Sequence, residues 1–181
     1  ITDILFNDLM QVWPPRVGHG AREWVKDNIS SGLFYTGTLT MRAGPGDLSQ
    51  TPLPDDAIKA ELAFSDVTGR YLKELSPIRD GRGKMHLTGN SFRADITGGF
   101  IEPAAGGRIE IIDGGFATKD FHIRGNNADI FVNAQASMTA MLALLDEEPL
   151  GYTSDFGLDP RDVDGTAKVR ISTVLPMRSL L

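Results

Sequence analysis

The chain has no cysteine among its 181 residues, which removes disulfides, thiolate catalysis and cysteine-ligated metals. It also lacks any run near the roughly 20 apolar residues of a membrane-spanning helix. Histidine is scarce: His19, His86 and His122 show no recognised metal-ligand spacing and read as solvated surface. Basic residues are outnumbered, Lys+Arg 18 against Asp+Glu 24, for a net charge of −6. No basic stripe offsets that balance, which argues against a nucleic-acid partner. Neither a Gly-x-Ser-x-Gly elbow nor a phosphate-binding loop is present. The expectation is a protein that is not an enzyme, with no catalytic residue, no metal site and no cofactor.

The acids concentrate late in the chain, where only Arg161 answers seven carboxylates between 146 and 164. Asp159, Asp162, Asp164 and Gly165 hint at a calcium loop. The EF-hand spacing, however, places Pro160 at the first ligand position and Ile171 where the bidentate Glu belongs. A solvated acidic loop is the better reading. Asp146-Glu147-Glu148 closes an expected helix, where consecutive side chains diverge and negative charge opposes the helix dipole. It reads as a plain polar helix end.

What is present is alternation. Leu33, Tyr35, Leu39 and Met41 are interleaved with Phe34, Thr36, Thr38, Thr40 and Arg42, and Ile58, Ala60, Leu62 and Phe64 with Lys59, Glu61, Ala63 and Ser65. Such spacing sends one set of side chains to each face of a pleated sheet. Strands are predicted at 33–43, 57–64, 84–88, 92–97, 108–112, 120–124, 129–135 and 166–174. Gly89-Asn90 makes the turn of a hairpin between the third and fourth. The pairs Gly98-Gly99, Gly106-Gly107, Gly114-Gly115 and Asn126-Asn127 read as punctuation. Helical spacing appears over His19–Ile29, after a break at Trp13-Pro14-Pro15. It appears again from Met138, where Ser137 can cap the helix and Met138, Met141, Leu142 and Leu145 form a stripe ending at Pro149. The stretch 1–13 is mixed, and Tyr71, Leu72 and Leu75 suggest a helical turn. Trp13 and Trp24 read as anchors joining helix to sheet.

The fold class expected is therefore mostly β: a curled antiparallel sheet forming an open apolar groove, half-barrel or taco-like, with two short helices. Residues 1–181 read as a single module, excised from a longer membrane-anchored periplasmic protein, since the chain starts with Ile and no signal peptide precedes it.

Trp13-Pro14, Ala21-Arg22-Glu23-Trp24-Val25 and Gly32 opening an alternating strand carry a resemblance. So do Tyr71-Leu72, Pro77-Ile78, the Gly89-Asn90 hairpin, Pro149-Leu150 and Gly165-Thr166-Ala167. In this order the chain resembles the central domain of bacterial AsmA-like envelope proteins of the YhdP type, above all their alphaproteobacterial versions. The resemblance implies a long protein anchored in the inner membrane, with its bulk in the periplasm. It implies a β-groove akin to bridge-like lipid transfer proteins, which conduct phospholipids from inner to outer membrane. It supplies no catalytic residue and no cofactor.

A dry trough suits such cargo, because each buried CH₂ gains about 0.8 kcal/mol. A uniform lining, without a specific polar site, keeps the cargo mobile. The residues expected to line it, as a lipid-binding face, are Leu39, Leu62, Leu87, Ile96, Ile111, Ile123 and Val132. Expected partners are phospholipid acyl chains, neighbouring β-groove modules of the same protein and, through open strand edges, a second copy. The alternative is a scaffold β-domain whose dry face is sealed by its own helices or a second sheet.

Overall fold

The structure is a computed structural model. It describes residues 3–13, 19–42, 44, 46, 53–71, 74–120, 123 and 125–176, with backbone alone for 19–21. Eight strands form one sheet: β1 (Ile4–Leu5), β2 (Ile29–Met41), β3 (Ile58–Gly69), β4 (Ile78–Thr88), β5 (Ser91–Ile101), β6 (Ile109–Lys119), β7 (Asn127–Ser137) and β8 (Thr166–Pro176). Their order across the sheet is their order along the chain, and every neighbouring pair is antiparallel. β1 and β8 lie at the two ends of that order, so the sheet is open. β1 covers only Leu33 and Phe34 of β2.

The predicted strands at 33–43 and 57–64 correspond to β2 and β3, and the hairpin at Gly89-Asn90 to the β4–β5 connection. Two glycine pairs do not punctuate strands. Gly98-Gly99 lies inside β5 and Gly114-Gly115 inside β6. At Gly115 the ring of Phe131 on β7 occupies the place where a side chain would begin. Glycine there lets an aromatic ring lie flat on the sheet. The strand expected at 120–124 is absent from its described residues. Asp120 and Ile123 form a turn closed by the Ile123 amide on the Asp120 carbonyl, 2.8 Å. Phe121, His122 and Arg124 lie outside the described residues, as do Pro14, Pro15, Pro45 and Leu72.

Helices number more than the two expected. α1 (Phe6–Val12), α2 (His19–Asn28), α3 (Met138–Leu145) and α4 (Tyr152–Asp155) are joined by a 3-10 turn at Pro160–Asp162. At 7 residues α1 is too short for intrinsic stability. Its helical state rests on burying Phe6 and Leu9, a tertiary effect that a local pattern does not carry. Tyr71 and Leu75 themselves lie in bends between β3 and β4, and the Leu72 of the expected helical turn lies outside the described residues.

The helices cover one face of the sheet and define two apolar clusters. In the first, Phe6, Leu9, Trp13 and Val25 pack with Phe34, Phe64, Met85, Leu87 and Phe92. Trp24 stacks on Phe116 of β6, centroids 5.8 Å apart, so both tryptophans join helix to sheet as expected. Arg22 ties α2 to α1: its Nε donates to the Trp13 carbonyl and its Nη2 to the Met10 carbonyl, 3.1 and 3.0 Å. These belong to the unsatisfied last turn of α1, where positive charge is favourable. In the second cluster Ile101, Ile109, Ile111, Ala134 and Ala136 meet Ala140. Ser137 caps α3, its hydroxyl accepting from the Ala140 amide. The buried face of α3 is centred on Ala140 and Ala143 rather than on the predicted Met/Leu stripe, and Leu145 is exposed. Small residues let this helix approach closely. Gly107, at φ 89°, lies where any Cβ would collide with the methyl of Ala140.

Candidate functional site

Opposed residues in an antiparallel ladder share a face. Leu39 opposes Ala60, which opposes Leu87; Leu62 opposes Met85; Ile96 opposes Gly114, which opposes Val132. Leu39, Leu62, Leu87, Ile96 and Val132 thus lie on one face. Ile111 belongs to the same side, because a bulge between Ile111 and Asp113 resets the alternation and turns Ile112 outward. The face continues onto β8, where Val132 opposes Ile171 and Ala134 opposes Val169. Ile123 does not join it, sitting in the β6–β7 turn, 53% exposed.

The six residues on the face differ in environment. Leu87 and Ile111 are buried in the first and second clusters. Leu62, Ile96 and Val132 are half-buried beside them. Leu39 is 59% exposed, as are its face-mate Met41 at 53% and Ile171 at 48%. The chain's own helices therefore fill the middle of the apolar face and leave apolar side chains bare towards both outer strands.

The opposite face carries most of the charged side chains, with Tyr35, Ile112, Phe131 and Val174 as exposed apolar residues among them. There Glu61, His86 and Asp95 lie side by side on β3, β4 and β5, with His86 Nδ1 3.5 Å from Glu61 and Nε2 3.9 Å from Asp95. Arg93 grips Asp95 with two nitrogens. Among the described residues no group of three or more His, Asp or Glu is arranged to hold a metal. In the acidic loop, hydrogen bonds from the Arg161 side chain and amide hold the Asp159 carboxyl at about 2.

Asp146-Glu147-Glu148 is more than a polar helix end. Asp146 accepts from the Ser154 amide at 2.7 Å. Glu147 accepts from the Ser76 amide, the Ser76 hydroxyl and the Ala104 amide, each at 2.7 Å. It joins the α3–α4 loop to the β3–β4 and β5–β6 connections. Partial burial opposes its charge, yet the bonds from Ser76 and Ala104 together hold its carboxyl below the usual range. Its partners are 71 and 43 residues away, so no local spacing could have revealed the role.

One further feature escapes sequence reading. A cleft of about 520 Å³ opens where α2 passes into β2, lined by Lys26, Asp27, Asn28, Ile29, Ser30, Thr68, Arg70, Pro77 and Arg79. Lys26, Arg70 and Arg79 stand there with Asp27, and Lys26 and Arg79 are paired with Glu23 and Glu102 at 3.8 and 4.0 Å. Three separated segments supply them, so no motif marks the place.

No protein-family model, curated protein or solved structure matches the chain.

Proposed function

We propose that this chain is a β-sheet module of the AsmA-like, YhdP-type kind. It carries phospholipid acyl chains along its apolar face, as one section of a longer, inner-membrane-anchored periplasmic protein. In that role it takes part in phospholipid transport between inner and outer membranes and in envelope maintenance. The observation that supports this reading best is an apolar face extending from β2 to β8 and outreaching the helices that cover it, so that Leu39, Met41 and Ile171 stay bare. At about 0.8 kcal/mol per buried CH₂, a tail lying against such side chains is favoured over water. The absence of a polar anchor among them keeps the energy profile along the path flat. The open outer edges of β2 and β8 offer neighbouring modules a place to continue the sheet.

A photo-crosslinking residue placed at Leu39 or Ile171 tests this, with Lys84 on the opposite face as control. Lipid adducts at the first two positions and none at Lys84 are expected when the chain is purified from membranes. Equal or absent adducts would overturn it. The second reading, a scaffold domain with a sealed core, draws support from Phe6, Leu9, Trp13 and Val25 filling the first cluster. It expects lipid-free protein by mass spectrometry.

A further inference from the structure

β8 borders the sheet with a long and regular edge. Its 11 residues, Thr166–Pro176, pair one to one with β7 from end to end. The β2–β3, β3–β4, β4–β5 and β6–β7 ladders are each interrupted by a shift of register. Among the described residues no strand pairs with the outer side of β8. Such an edge presents a row of backbone donors and acceptors that another extended strand satisfies in full. We infer that this strand is β8 of a second copy of the chain, antiparallel about a two-fold axis at Ile171.

Full overlap of the strand with its own copy fixes the register, because Ile171 is the midpoint of Thr166–Pro176. Ile171, exposed in the single chain, then meets its own mate. Val169 stands opposite Thr173 and Ala167 opposite Leu175, all on the apolar face. On the other face Arg170 stands opposite Ser172 and Lys168 opposite Val174. No like charges oppose one another, and Pro176, which lacks an N–H, falls on the last rung against Thr166. A register centred on Arg170 would set that residue against itself, and one centred on Val169 would set Lys168 against Arg170. Edge cations ordinarily discourage pairing. Here the fullest register keeps them out of opposition, and Arg170 is drawn back over β7 by its bond to the Asn133 side chain, 2.8 Å. The outer edge of β2 fits β8 less well, since β1 occupies it at Leu33 and Phe34 and Thr36, at φ 51°, bulges out of register. A closed pair through β8 is therefore favoured over a head-to-tail array of β8 on β2. The copies meet edge to edge, so the apolar face runs on from one to the other and the β2 edges stay at the two outer ends. The inference concerns the edge alone and does not rest on the lipid reading.

The chain contains no cysteine, so single introduced cysteines report the register directly. Sedimentation velocity of the full chain is expected to show a dimer at micromolar concentration. Ile171→Cys should give a disulfide-linked dimer on mild oxidation. Lys168→Cys should not, since its opposite number is Val174. Ile171→Lys, which sets like charges on the axis, should weaken the dimer about tenfold with an unchanged circular dichroism spectrum. A chain that sediments as a monomer throughout, cross-linking that is absent at 171 or equal at both positions, or a dimer indifferent to Ile171→Lys would overturn the inference. Lipid adducts at Leu39 in a monomeric chain would remove the pairing and leave the proposed function standing.

Discussion

Tyr71 carries its hydroxyl into the protein, where it meets no hydrogen-bond partner among the described residues. Burial, with the Glu147 carboxylate as the lesser cause, pushes its phenol well above the usual range. The folded state therefore holds that proton more tightly than the unfolded chain. Its contribution to stability is intact below the ordinary tyrosine value of about 10 and declines as pH climbs past it. Tyr71→Phe removes the unsatisfied donor, so a gain of about 1 kcal/mol at neutral pH and loss of the alkaline decline are expected from urea unfolding. Glu147 behaves oppositely. Its depressed folded value makes its contribution fullest above about 4.3, fading as pH falls through the lower folded value. Glu147→Gln is expected to be less stable than the parent at pH 7, with the gap closing under acid. A constant gap at all pH values would mean that the charge is irrelevant to the three bonds. Neither role was visible in sequence, where Tyr71 resembled part of a helical turn and Glu147 part of a solvated helix end.

Among the elements, those with a strong local signal were legible and those held by distant contacts were not. Seven of the eight strands coincide at least in part with alternating segments, because period two is imposed by the pleat itself. Ser137 at the head of α3 was legible for the same reason: a cap needs only its own turn. Ser137→Ala is expected to cost about 1 kcal/mol, read as a lower denaturation midpoint with unchanged slope. The buried face of α3 was misjudged because helix approach is decided by what lies beneath. There Gly107 leaves room for Ala140 and draws the small residues inward. The six lining residues were found from alternation alone, while Ile123 was misplaced by extending that rule into a turn. The cleft at the α2–β2 junction was invisible, since its walls come from 26–30, 68–70 and 77–79.

At the scale of the whole molecule, the helical pair α1–α2 spans the sheet from β2 to β6, with Arg22 fastening one helix to the other and Trp24 resting on Phe116. Pulse-labelled hydrogen exchange during refolding should protect the amides of α2 only once those of β6 are protected, because the helix lacks its far contact until then. Simultaneous protection of α2 with β2 alone would contradict this. A sheet whose strands succeed one another in chain order has a further result. Each new segment leaving the ribosome finds its neighbour already made, so growth proceeds from the first hairpin outward and no half-built edge waits for a strand synthesised much later. Apart from the outer edge of β2, which β1 covers at two residues only, the edge exposed at any moment is the newest one, which confines the further hazard of mispairing to a single, moving front.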